Sequence, residues 1–121
     1  MSSLKFYRNK NDKNNFIASN GDLVKEGEYI ELKPNSIDLI AEKHVPIYEV
    51  VGDKIKVSIE STIHPMSEEH YIMWIALVND NDIKMVKLKP SDNPVATFPY
   101  IKGSEIYAYC NLHSLWKNNV D

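Results

Sequence analysis

Residues 71–78 constrain the fold of this chain more than any other stretch, because every position is apolar. They read Tyr-Ile-Met-Trp-Ile-Ala-Leu-Val. A strand that is buried on both faces needs apolar residues of both parities, so we predict a central strand here, with a buried helix as the alternative. In the predicted strand, one face carries Ile72, Trp74, Ala76 and Val78, and the other carries Tyr71, Met73, Ile75 and Leu77.

The segments around this strand indicate an all-β chain. Residues 54–60 alternate polar and apolar side chains, which is typical of a strand with one solvent-exposed face. Gly52-Asp53 precedes them as a turn. We predict further strands at 83–88, 95–100 and 105–110, and a short terminal turn after His113. Short strands with regular turns and no long helical pattern predict an antiparallel β-sandwich.

Residues 1–38 differ from the remainder of the chain. They are rich in Asn, Lys and Asp and carry few large apolar residues, although short strand-like pieces occur at 4–8, 16–19 and 28–32. This segment is too polar to bury a core of its own, so we expect it to pack against the larger part. The sequence therefore predicts a small N-terminal β appendage, residues 1–38, and a sandwich domain, residues 39–121.

Composition excludes several classes of function. A net charge of −3 gives no electrostatic footprint for nucleic acid, and the longest apolar run is too short to span a bilayer. The first residues contain no apolar signal-peptide core, and one cysteine cannot form an intramolecular disulfide. We therefore expect a cytoplasmic protein with no membrane or nucleic-acid partner.

The chemistry of the chain concentrates in four histidines and one cysteine. Cys110 and His113 form a C-x-x-H spacing that lets a thiolate and an imidazole reach one metal, and a short loop separates His64 from His70. Taken singly, each histidine is more often an ordinary loop or surface residue, and a lone cysteine is more often a buried inert thiol. Since all four histidines and the cysteine fall near predicted strand ends or loops, we consider a shared metal site formed by His44, His64, His70, Cys110 and His113.

The ligand types narrow the choice of metal. Four imidazoles and a thiolate exceed the four ligands of a structural zinc site. A blue-copper site would need a weak axial Met after the second histidine, and none follows His113. Iron accepts imidazole and thiolate together in five or six coordinates, with the thiolate pushing electron density onto the metal.

At these residues the chain resembles the superoxide reductases of the desulfoferrodoxin and neelaredoxin family. The resemblance runs from Glu42 to Lys117 and rests on four stretches in order: EKHVP at 42–46, HPMSEEHYIMWI at 64–75, LKP at 88–90 and YCNLHSLWK at 109–117. It implies an immunoglobulin-like β-sandwich with one mononuclear iron, which alternates between Fe²⁺ and Fe³⁺. The implied equatorial ligands are His44, His64, His70 and His113, and the implied axial ligand is Cys110.

The resemblance also implies partners and supporting residues. Superoxide would be the substrate, hydrogen peroxide the product and a rubredoxin-like protein the electron donor. Glu42 matches a carboxylate that can fill the sixth iron position, and Lys43 matches a cation that attracts superoxide. We also expect a homodimer, and a backbone or side-chain hydrogen bond from Asn111 to the Cys110 sulfur.

The N-terminal segment is similar to the desulforedoxin-like module of the same family, which holds a second iron with four cysteines. The corresponding positions here are Asn9, Asp12, Lys25 and Glu26. None is a thiolate, so we expect no second Fe(Cys)₄ centre. Two other functions remain open from the sequence: an electron-transfer iron protein without turnover, and a degenerate, non-catalytic binding module.

Overall fold

A computed structural model of the chain describes residues 4–19, 27–35, 45–59 and 65–121. Within these ranges the chain is built of β-strands alone, and no helix there could cross a membrane. The strands are β1 Lys5–Asn9, β2 Phe16–Ser19, β3 Tyr29–Leu32, β4 Pro46–Val51, β5 Lys54–Ile59, β6 Ile72–Asn79, β7 Asp82–Lys87, β8 Val95–Pro99, β9 Glu105–Cys110 and β10 Ser114–Asn119.

Three antiparallel sheets lie in layers. The N-terminal sheet has the order β2-β1-β3, the middle sheet β10-β9-β6-β7 and the third sheet β4-β5-β8. The predicted all-β fold, an antiparallel sandwich with a small N-terminal β appendage, is confirmed. The proposed division between residues 38 and 39 lies outside the described residues and stays a prediction.

The first core fills the space between the middle and third sheets. Alternating residues of β5 and β9 supply much of it, because a strand presents every second side chain to the same face. Its members include Ile55, Val57, Ile59, Ile75, Leu77, Ala96, Phe98, Ile106, Ala108 and Cys110. Cys110, a predicted metal ligand, is thus also a core residue of the sandwich.

The second core joins the N-terminal sheet to the opposite face of the middle sheet. Phe6 lies at its centre, with its ring 5.0 Å from that of Trp74 and 4.9 Å from that of Tyr107. Phe16 packs edge-on against Tyr109 at 4.9 Å. The middle sheet is therefore covered on both faces, which explains why β6 is apolar at every position except its last, Asn79, and why the N-terminal segment needs no separate core.

A β-bulge in β6 overturns part of the predicted face assignment. Ile72 pairs with Cys110, but Trp74 pairs with Tyr109, so two residues of β6 advance while β9 advances by one. The extra residue, Met73, packs with Trp74 in the second core, whereas Ile72 lies in the first core with Ile75. The prediction that Ile72 shares a face with Trp74 was wrong because a bulge breaks the period of two.

The prediction of a short terminal turn after His113 was also wrong. Residues 114–119 form β10, which pairs with β9 from Ser114↔Cys110 to Asn119↔Glu105. Ser114 adopts a left-handed backbone with φ 70°, which closes the hairpin without a glycine. Leu115 and Trp116 are fully buried, so tertiary packing stabilises this strand. The polar residues on either side of them made the strand difficult to predict from the sequence.

Asn35 covers the free edge of β10. Its backbone N–H donates to the Leu115 carbonyl at 2.9 Å. Its side chain accepts from the Lys117 N–H at 2.9 Å and donates to the Lys117 carbonyl at 3.2 Å. One residue thereby continues the hydrogen-bond ladder beyond the last strand of the middle sheet.

Candidate metal centre

The β9–β10 turn presents two of the predicted ligands side by side. Cys110 ends β9, and His113 lies just before β10, so the three residues 111–113 form the turn. The indole N–H of Trp116 donates to the His113 carbonyl at 3.0 Å, which anchors the turn to a buried ring. The Cys110 Sγ and the His113 Nδ1 lie 3.7 Å apart, close enough for both to bind one ion.

A second loop, residues 65–71, brings His70 to the same place. Ser67 and His70 exchange backbone hydrogen bonds of 3.0 and 3.2 Å, which folds the loop into a compact turn. Met66 accepts the Ile72 N–H on its sulfur at 3.4 Å, and its carbonyl accepts from the Ser91 N–H at 2.7 Å. These bonds tie the Met66 end of the loop to β6 and to the segment that follows β7, and so restrict where the His70 ring projects.

The three side chains form one compact donor cluster. One ligand atom from each of His70, Cys110 and His113 lies within 4.8 Å of the others. The two imidazole rings are 5.0 Å apart and nearly perpendicular. The Cys110 side chain and the His70 Nε2 atom are buried, so a bound ion would be shielded from water on this side.

The electrostatics of Cys110 favour a cation beside the sulfur. Burial raises the pKa of the Cys110 thiol, and the backbone N–H groups of Leu112 and His113 lower the pKa in part by donating to the sulfur. A buried thiolate is costly without a neighbouring positive charge, and a coordinated metal supplies that charge. The cluster therefore fits a metal that accepts mixed sulfur and nitrogen donors.

Four of the predicted site residues lie outside the described residues: Glu42, Lys43, His44 and His64. Their assignments stay predictions. His64 directly precedes Pro65, where the described part of the His70 loop begins. The structure thus brings together three of the five predicted ligands and describes the loop that leads to a fourth.

The predicted role of Asn111 was wrong. Its side chain bonds to the His70 loop, accepting from the Tyr71 N–H at 3.0 Å and donating to the Glu69 carbonyl at 3.1 Å. Its backbone N–H donates to the Tyr71 carbonyl at 3.2 Å. The donors to the Cys110 sulfur are the backbone amides of the next two residues. Sequence reasoning missed them because any residue except proline supplies such a group, so no side chain signals it.

The N-terminal turn after β1 contains two of the positions where the related module has cysteines. The Asn9 side-chain oxygen accepts from the N–H groups of Asn11 and Asp12 at 2.8 and 3.0 Å. Asp12 in turn accepts from the Asn14 N–H at 3.0 Å. These oxygens close the turn by hydrogen bonding. Lys25 and Glu26 lie outside the described residues, and the expected lack of a second iron stays a prediction.

Comparison with known proteins agrees with this fold and site. Residues 36–119 match the family profile of the desulfoferrodoxins. The desulfoferrodoxin of Nitratidesulfovibrio vulgaris is 46% identical over 103 residues, which cover 83% of this chain and 81% of that protein. That of Clostridium acetobutylicum is 46% identical over 86 residues, covering 71% of this chain and 69% of that protein.

Solved structures extend the likeness. The superoxide reductase of Treponema pallidum superposes with a TM-score of 0.74 at 29% identity, covering 95% of this chain and 96% of that one. The 1Fe superoxide reductase of Giardia intestinalis gives a TM-score of 0.59 at 32% identity, covering 66% and 98%. The fold and the cluster define a β-sandwich protein with a mixed imidazole–thiolate cluster of metal-ligating side chains. The chain belongs to the desulfoferrodoxin family, and the resemblance seen in the sequence is confirmed.

Proposed function

We propose that this protein is a superoxide reductase, which converts superoxide, one electron and two protons to hydrogen peroxide. The observation that carries the proposal is the convergence of His70, Cys110 and His113 on one point. Relatives that share the fold are superoxide reductases from Treponema pallidum and Giardia intestinalis. The cofactor would be one mononuclear non-haem iron, with His44 and His64 as the remaining ligands.

When bound, iron would supply the electron and an open coordination position. The residues of the chain prepare that position. Cys110 places an electron-rich sulfur on the buried side, and the amides of Leu112 and His113 draw charge from it, a type of contact that tunes potentials. His70 and His113 supply imidazoles at fixed orientation.

Lys43 and Glu42 are proposed to serve the open side of the centre. Superoxide is an anion and the chain carries a net charge of −3, so a local cation is needed to attract it. We expect Lys43→Ala to lower the second-order rate with superoxide, with a larger loss at low ionic strength because salt screens the attraction. Pulse radiolysis at several salt concentrations measures this. An unchanged rate and salt dependence would remove Lys43 from the mechanism.

The proposed setting is the cytoplasm, with a rubredoxin-like electron donor and a homodimeric state. Reduction of the oxidised protein, followed in the presence and absence of reduced rubredoxin, tests the donor. Sedimentation equilibrium tests the dimer.

The deciding experiment is iron analysis and a visible spectrum, followed by titration of the reduced protein with superoxide. We expect one iron per chain, a thiolate-to-iron charge-transfer band in the oxidised form, and one peroxide per superoxide consumed. Two irons per chain would contradict the loss of the N-terminal centre. A ferric protein that binds neither azide nor cyanide, and yields no peroxide, would point to an electron-transfer protein instead.

A further inference from the structure

Asn111 connects the two loops that carry the clustered ligands. It follows Cys110 directly, and its two hydrogen-bond partners, Glu69 and Tyr71, flank His70 on either side. Its backbone N–H also donates to the Tyr71 carbonyl at 3.2 Å. Asn111 therefore takes part in three hydrogen bonds, one accepted and two donated, that join the turn of Cys110 to the loop of His70.

The position of these bonds explains why a side chain helps to join the two loops. The backbone ladder between β6 and β9 is disrupted by the bulge between Ile72 and Trp74 and ends at the pair Ile72↔Cys110. At that pair the Ile72 N–H donates to the Met66 sulfur. The primary amide of Asn111 has one acceptor and one donor, as a peptide group does, so it can extend the pairing past the point where the strands stop.

We infer that Asn111 is a positioning residue, which sets the separation and orientation of the His70 imidazole relative to the Cys110 sulfur. The inference rests on the proposed metal centre, because the geometry matters only if both side chains bind one ion. Asn111 contacts no reacting atom in this arrangement. It acts through the loops on both sides, so its loss should change the coordination geometry and the rate of metal release.

The chain offers a matched control on the same hairpin. Asn118 lies on β10, and its side chain likewise joins separate segments, donating to the Pro46 carbonyl at 3.0 Å. Asn118→Ala removes a comparable bond at the other end of the strand. Asn111→Asp is a graded variant, because it keeps the acceptor for the Tyr71 N–H and replaces the donor to the Glu69 carbonyl by an oxygen.

The test uses the full chain loaded with cobalt(II), whose absorption reports coordination geometry without superoxide chemistry. We expect Asn111→Ala to shift the thiolate-to-cobalt band and to release the metal to a chelator about 10- to 100-fold faster, as when contacts behind a ligand are removed. Asn118→Ala should match the parent protein, and Asn111→Asp should fall between the two.

Equal spectra and release rates for Asn111→Ala and Asn118→Ala would overturn the inference. If Asn111→Ala fails to fold by circular dichroism, the spectrum and release rate of Asn111→Asp decide in its place. Failure of the proposed function gives a different result: the parent protein would bind cobalt with the expected thiolate band, while its iron form would produce no peroxide from superoxide.

Discussion

Two turns of this molecule begin in the same way and serve opposite purposes. In the N-terminal turn, the Asn9 oxygen accepts the backbone N–H groups two and three residues ahead. In the site turn, the Cys110 sulfur accepts the N–H groups of Leu112 and His113, again two and three residues ahead. The two turns therefore have the same arrangement of backbone N–H donors, but the acceptor atom at the centre differs.

The central atom decides the chemistry. A side-chain amide oxygen is neutral, and the backbone donors satisfy it, so the Asn9 turn is held by hydrogen bonds alone. A thiolate keeps lone pairs for a metal after accepting two amides, and its burial favours a nearby cation. The comparison indicates that the amide arrangement sets the shape of the turn, and the side chain at its centre determines whether the turn is structural or binds metal.

Removal of the Cys110 sulfur is expected to have the largest effect. Cys110→Ser should abolish the thiolate-to-iron band and lower iron affinity by at least about 100-fold, because a hydroxyl is not ionised at neutral pH and iron prefers the thiolate. Titration with iron(II) followed by visible spectroscopy measures both. Asn9→Ser, the matched change in the other turn, should leave the band intact. An intact band in Cys110→Ser would show that the Cys110 sulfur is not an iron ligand.

The second prediction concerns what the N-terminal sheet contributes. Phe6 is 2% exposed and lies between Trp74 and Tyr107. Phe6→Ala should lower the free energy of unfolding by about 3–5 kcal/mol through lost burial and a new cavity. Urea denaturation gives this value, and the charge-transfer band of the folded fraction should not move. The control is Ile30→Ala on the same sheet, since Ile30 is 40% exposed and its truncation should cost less than about 0.5 kcal/mol.

A smaller effect is expected from the oxygen at the centre of the N-terminal turn. Asn9→Ala leaves two amide donors without their side-chain acceptor in an exposed turn, so water can replace it and the cost should be about 1 kcal/mol. Urea denaturation is again the measurement. Asn9→Asp keeps the acceptor and should recover most of the loss. A loss in Asn9→Ala above about 3 kcal/mol would show that the turn does more than hold β1 to β2.

The smallest prediction concerns pH at the boundary between the N-terminal sheet and the middle sheet. Burial raises the pKa of the Tyr107 hydroxyl, as do the charge and the hydrogen bond of Glu105. Folded protein therefore keeps this proton above pH 10, where the unfolded chain loses it, so stability falls as pH rises from 10. Tyr107→Phe should reduce this loss between pH 9 and 10.5 by about 0.8 kcal/mol.

Unfolding free energies of Tyr107→Phe and the parent protein across that pH range make the comparison. Tyr29→Phe, on β3, controls for the removal of a tyrosine hydroxyl elsewhere. Identical alkaline slopes in Tyr107→Phe and the parent protein would contradict the prediction.

Local pattern predicted most of the strands but missed features that depend on distant residues. The strand within residues 71–78 was recognisable because apolar residues of both parities reflect burial on both faces, and the strand at 105–110 was recognisable from its alternating side chains. The bulge at Met73 could not be seen, because it depends on the pairing partner in β9. Strand β10 was missed because Ser114 closes its hairpin without a glycine or Asn-Gly signal.

The candidate site was likewise predictable only in part. Its ligand types and the C-x-x-H spacing could be read from the sequence, since they are properties of the residues themselves. The partners of Asn111 could not, because Glu69 and Tyr71 are brought beside it only by the folded loop. Sequence supplies the donor atoms of the centre, while long-range pairing supplies their arrangement.

The cover that Asn35 places on β10 has a consequence for self-association. A bare edge strand presents unpaired N–H and C=O groups that can add a strand from another molecule, a common route to aggregation. At this edge, Asn35 already occupies the groups of Leu115 and Lys117. Any assembly of this protein that grows by strand addition must therefore use a different edge, or first displace a single asparagine.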